Sequence, residues 1–220
     1  MNTKVKVAVK RLDTILPLIS GLKSLDAGDA ALYCRILNSY VERGRTLSRD
    51  EATGHVSNVD QSLSNMLDKK LIVIDDDGSL SGAYPFTSEE REHKVHINDI
   101  TANCMCALDA LSVSSMFNIP TIIESKCHVT GKAIFLEQNR TNFSTGTLDA
   151  WFGINWGAAA SDIVCAESLC MDMIFLANDT VAHQWMSQSP GTLEIFDLKS
   201  AAEFAAEFFV PLAKTCKPTD

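Results

Sequence analysis

The segment Cys106-Ala107-Leu108-Asp109 sets a thiol and a carboxyl three residues apart in an apolar stretch, and Cys170 heads a later apolar run. A thiolate is the favoured protein ligand of soft metals, and a nearby carboxyl adds acid chemistry to their capture. Cys106, Cys170 and Asp109 thus form a set for gripping a soft metal and delivering a proton beside it. Each has a plainer alternative. Cysteine is among the most frequently buried residue types, so any one of the seven fits a small core hydrophobe, as Cys34 and Cys216 do. Asp109 fits a structural hydrogen bond to a neighbouring loop. It is less comfortable there, because a carboxylate in an apolar helix needs a partner or a raised pKa.

The elements that must position these groups follow from periodicity. Residues 101–118 read as a helix buried on most sides, with Pro120 preventing its continuation. On it Cys106 and Asp109 share a face, and Cys104 points elsewhere. Val95, Ile97 and Ile100 alternate with polar neighbours as a strand ahead of it. Residues 121–125 and 133–137 flank a turn at 129–132, a hairpin that holds Cys127 near its bend in a structural role. Cys127-His128 offers two zinc ligands only if another element brings more, and none of the cysteines forms a CxxC pair. Residues 139–160 offer a strand or an aromatic wall of Trp151, Phe152 and Trp156. Ser161 or Asp162 is expected to cap a short helix containing Cys165. Cys170 then leads a strand over 171–176, Asp179 or Thr180 caps a helix with Trp185, and a closing helix spans 200–212 with Phe204, Phe208 and Phe209 inward.

The first part of the chain is different in kind. Leu12, Ile15, Leu16, Ile19 and Leu22 recur at helical spacing over 12–25. Asp29 can cap a second helix through Glu42, ended by Gly44, a third fits 48–54, and Asn58 or Ser57 can cap a fourth. Residues 71–74 and 80–86 around Asp77-Gly78 signal a hairpin. Helices followed by a hairpin describe a winged-helix-like module. As a DNA reader it is poorly equipped, since its basic residues near the fourth helix are Lys69 and Lys70 and the wing tip is Asp75-Asp76-Asp77.

Composition bounds the class. A chain of 220 residues with 46% hydrophobic content suits one globular unit or a small domain leaning on a larger one. Residues 1–87 carry 11 Lys and Arg against 11 Asp and Glu, while residues 88–220 carry 8 against 17 and hold the whole net charge of -9, which disfavours nucleic acid. No apolar run reaches a membrane span. Lys4 to Arg11 precede a short apolar core that Pro17 and Ser20 interrupt, with no small-residue cleavage site, so a cytoplasmic protein is expected. Seven cysteines, odd in number and irregularly spaced, agree with a reducing compartment and no disulfide framework. The expected fold class is α+β: residues 1–87 a helical winged-helix-like domain, residues 88–220 a mixed or antiparallel β-sheet catalytic domain with flanking helices.

Three blocks resemble the organomercurial (alkylmercury) lyases: residues 106–111 (Cys-Ala-Leu-Asp-Ala-Leu), Ser125-Lys126-Cys127-His128-Val129-Thr130-Gly131, and Ser168-Leu169-Cys170 running into Ile174-Phe175-Leu176-Ala177. They keep the family's order and approximate separation, covering roughly residues 80–210. The resemblance implies that Cys106 and Cys170 bind mercury, that Asp109 donates the proton and can also contact the metal, and that Cys127 is structural. It also implies protonolysis of RHg⁺ to RH and Hg(II) with no resident cofactor. Small cytosolic thiols deliver the substrate and sustain turnover, and a mercuric reductase is a potential acceptor of Hg(II). Met105 departs from the family's frequent Trp, and Met171 from a cysteine that some members carry. Two rivals are a winged-helix soft-metal sensor or binding protein without turnover, and a relative acting on another thiophilic substrate.

Overall fold

The structure, a computed structural model, describes residues 2–160 and 163–216. The helical half comprises α1 (Thr3–Ile15), α2 (Leu18–Lys23), α3 (Ala27–Arg43), α4 (Arg49–Thr53) and α5 (Val59–Asp68). The helix expected over 12–25 is instead two, because Pro17 lacks an amide and disfavours the helical region for Leu16. Asp26, not Asp29, caps α3, its carboxylate accepting from Asp29 N at 2.8 Å. Gly44 ends α3 in the left-handed region as expected, with φ 70°. Ser48 and Glu51 form a capping box on α4, and Asn58 caps α5.

Next come β1 (Ile72–Ile74), β2 (Leu80–Ala83), β3 (Phe86–Thr87), β4 (His93–Ile97), β5 (Ile100–Cys104) and α6 (Ala107–Phe117). The Asp77-Gly78 hairpin is present as β1 and β2. The helix expected from 101 begins only at Ala107. Residues 101–104 are drawn into a strand instead, because β5 lies between β3 and β4 and pairs with both. The expected hairpin follows as β6 (Pro120–Lys126) and β7 (Ala133–Asn139), then β8 (Asn142–Gly146) and β9 (Trp151–Asn155). Strands β1 to β8 form, among the described residues, an antiparallel sheet in the order β1-β2-β3-β5-β4-β6-β7-β8, which spans residues 87 and 88 through the pairing of β3 with β5.

The chain closes with 3-10 turns over Cys165–Glu167 and Leu169–Asp172, then β10 (Met173–Leu176), α7 (Asp179–Met186), β11 (Leu193–Asp197) and α8 (Leu198–Thr215). Cys170 therefore lies on a tight turn rather than at the head of a strand from 171. The proposed cap at Ser161 or Asp162 lies outside the described residues, and Cys165 sits on the first turn. Asn178, one residue before the expected positions, caps α7, its side chain accepting from Val181 N. A second antiparallel sheet has the order β10-β9-β11. The amide of His128 donates to Phe175 O at 2.9 Å and ties the two sheets beside Cys127.

Helix α6 is apolar all round and packs against α8, the face of β4 and β6, and β10, as a central helix must. Phe204, Phe208 and Phe209 of α8 are buried, each worth about 1.5–3 kcal/mol of apolar transfer. The reading of Cys34 and Cys216 as free core thiols is corrected: they form a disulfide between α3 and the end of α8, with Cα atoms 5.2 Å apart. That pairing joins residues 182 apart and gives no local sequence signal. No helix among the described residues is long and apolar enough to cross a membrane.

Candidate active site

Strand β5 delivers the chain to Cys106, which is extended (φ -154°) and caps α6; its sulfur accepts from Asp109 N at 3.5 Å. An N-cap side chain meets the third residue of its helix, so the three-residue spacing is a capping geometry rather than a shared helical stripe. The helix N-terminus also favours a thiolate at this position. The turn ahead of β10 brings Cys170 up to it. The two sulfurs and a carboxylate oxygen of Asp109 lie within 4.8 Å of one another, and all three residues are buried. The Cys106 sulfur lies 3.6 Å from Met173 Sδ, which sets a thioether beside the trio.

Burial raises the pKa of Asp109 from 3.8 to about 7, partly offset by its hydrogen bonds with Cys106. Its Oδ2 is buried without a partner among the described groups, so the carboxyl readily holds a proton near neutrality. Burial likewise pushes Cys106 up to about 12, while its contact with Cys170 lowers it. Cys170 is raised by contact with Cys106, then with Cys165, then by burial. The resting thiols are therefore neutral, and their protons leave when a soft metal forms the stronger bond to sulfur.

Cys104 is buried in β5. Cys127 is buried at the hairpin bend; burial raises its thiol, but hydrogen bonds from Thr130, Val129 and Ala177 outweigh it and hold the pKa below normal. Those bonds suit a thiol that fixes the turn. Cys165, which the sequence left open between core packing and an auxiliary ligand, lies beside the trio, and three further groups escaped the sequence reading. Cys165 Sγ lies 3.7 Å from Cys170 Sγ, a contact created by two successive 3-10 turns where a helix was expected. Met173 belongs to a run read only as strand. Tyr84, buried ahead of Pro85, accepts from Ala166 N at 3.0 Å through its hydroxyl. Burial, then the neighbouring Cys170, Cys165 and Asp109, keep that phenol protonated. Buried His93 bonds Ser125 Oγ at 2.8 Å, and burial lowers its pKa to about 4. A cavity of about 160 Å³ lined by His93, His128, Met105, Met171 and Cys170 reaches the site.

Two buried thiols beside a buried carboxyl, set in an α+β fold, are a group that could hold a soft metal and supply a proton next to it. The chain belongs to the alkylmercury lyase family (MerB), whose model matches residues 86–210, and it is a carbon–mercury lyase. The crystal structure of the mercury-bound form of MerB2 is similar in fold, with a TM-score of 0.70 and 19% identity over 92% of this chain and 99% of that one. Comparison with curated proteins gives no match.

Proposed function

We propose that Cys106, Cys170 and Asp109 carry out protonolysis of the carbon–mercury bond of alkyl and aryl RHg⁺. An RHg–thiol adduct reaches Cys170 through the cavity beside Met171. Thiol exchange moves RHg⁺ onto Cys170, and the departing small thiol takes the proton that Cys170 gives up. Cys106 then adds to mercury, passing its proton to Asp109 in the carboxylate form. Two thiolates on mercury push electron density onto the bound carbon. Protonated Asp109 delivers its proton there, the carbon–mercury bond breaks, RH leaves, and Hg(II) stays between Cys106 and Cys170.

The observation that carries this reading is the buried Asp109 carboxyl, its Oδ2 without a partner among the described groups, within 4.8 Å of two thiols. A metal store needs the sulfurs alone, whereas carbon–mercury cleavage needs an acid held ready beside them. In this reading the protein uses no resident cofactor, works in the cytoplasm on thiol-delivered substrate, and passes Hg(II) to small thiols or a mercuric reductase. Residues 1–87, a helical unit of winged-helix-like build, serve as a cap on the catalytic unit, residues 88–220. Cys106→Ser, Cys170→Ser and Asp109→Asn are each expected to lower hydrocarbon release by at least about 10³-fold. Headspace gas chromatography with phenylmercury and excess thiol measures it. Full turnover in Asp109→Asn would remove the aspartate from the mechanism.

A further inference from the structure

Cys165 stands outside the trio, yet its sulfur is 3.7 Å from that of Cys170. The two thiols face different openings. Cys170 lines the cavity beside His93, His128 and Met171. Cys165 lines a second, largely apolar cavity of about 360 Å³ with Ile15 of α1, Leu67 of α5, Ile72 of β1 and Val164. The two linings share no residue. Cys170 is thus within reach of Cys106, beside the acid, and of Cys165, beside the second opening.

Building on the role proposed for the trio, we infer that Cys165 is a third mercury ligand, which takes Hg(II) over from Cys106 after cleavage and presents it to thiols arriving through the second cavity. After cleavage Hg(II) joins the Cys106 and Cys170 thiolates, and Asp109 is a carboxylate. The Cys165 thiol adds to mercury and loses its proton, the bond from mercury to Cys106 breaks, and the Cys106 thiolate takes up a proton, with Asp109 beside it to relay one. One mercury–sulfur bond forms and one breaks, and mercury stays divalent, so no oxidant or reductant is needed. Two external thiols repeat the exchange: Hg(SR)₂ leaves, and their protons return to Cys165 and Cys170. Incoming organomercurial and outgoing metal then use separate cavities. Cys170 holds mercury through the hand-over, with first Cys106 and then Cys165 as the second sulfur, so Hg(II) is never held by one sulfur alone.

The test loads wild type, Cys165→Ser and Val164→Trp with one equivalent of mercuric chloride, adds excess glutathione, and follows metal release. Val164 is 38% exposed at the cavity wall, so a bulky side chain there narrows the opening without entering the trio. Release from both variants is expected to slow by about tenfold. With phenylmercury, Cys165→Ser is expected to give a burst of benzene followed by a slow phase, a signature that general damage to the fold does not produce. Wild-type release rates in Cys165→Ser would overturn the ligand role, and wild-type rates in Val164→Trp would overturn the route. Absence of benzene from the wild type would instead overturn the role of the trio, while the mercuric chloride arm still reads Cys165.

Discussion

Asp109 keeps its proton to about 7 because ionising it inside the core exchanges water for apolar side chains, and its bonds with Cys106 offset only part of that loss. An unfolded chain releases the same proton near 3.8. Stability that rests on the protonated carboxyl is therefore full below about 4 and is lost progressively as pH rises to about 7. Asp109→Asn in the metal-free protein should consequently be more stable than wild type at pH 8, on the order of a few kcal/mol, and equal to it near pH 3. Urea unfolding across that range measures the difference; a gap that does not grow with pH would mean that the core does not raise the Asp109 pKa. The variant that gains stability is the one expected to lose cleavage, since a strained group at a site costs stability in exchange for reactivity.

At the scale of elements, the site depends on where β5 stops and α6 starts. Gly44 closes α3 at φ 70°, and a Cβ there would lie 2.3 Å from the carbonyl oxygen of Thr101 in β5. Gly44→Ala is therefore expected to destabilise the protein by about 1–3 kcal/mol and to weaken cleavage by displacing the strand that ends beside Cys106. Thermal unfolding and hydrocarbon release of the same sample would check both; an unchanged melting temperature would contradict the contact. Much of this layer was legible in the chain: the short helix near 48–54, the cap at Asn58, the stop at Gly44, the Asp77-Gly78 hairpin and the pair around 129–132 all rest on local chemistry. What escaped was decided by partners distant in sequence. Residues 101–104 lead directly into the apolar helix that follows, and only β3 and β4 on either side make them a strand. Cys106 and Asp109 were legible as a pair, but as a helical stripe rather than an N-cap, and the contact of Cys165 with Cys170 had no signal because two 3-10 turns leave no periodicity.

The whole molecule is held together across the halves that composition separates. The large sheet continues from β3 into β5, Tyr40 of α3 stacks on Phe86 with ring centroids 5.1 Å apart, and Cys34–Cys216 links α3 to the end of α8. By the loop-closure argument a crosslink over so long a separation contributes at most about 5 kcal/mol. Cys216→Ser should lower the unfolding free energy by up to about that much in oxidising buffer and by nothing in excess reductant, with hydrocarbon release unchanged in either. Equal stability of variant and wild type in oxidising buffer would mean that the bond does not form. Charge at this scale also matters: the acidic tip Asp75-Asp76-Asp77 and the net charge of -9 turn the hairpin away from phosphate, which fits a small-molecule substrate. The most direct test of proton delivery to carbon is to incubate the wild type with phenylmercury and excess thiol in deuterium oxide and weigh the benzene by mass spectrometry. Monodeuterated benzene from the wild type and none from Asp109→Asn is the expected result, whereas undeuterated benzene, or mercury retained with no benzene at all, would contradict protonolysis by the Cys106, Cys170 and Asp109 site.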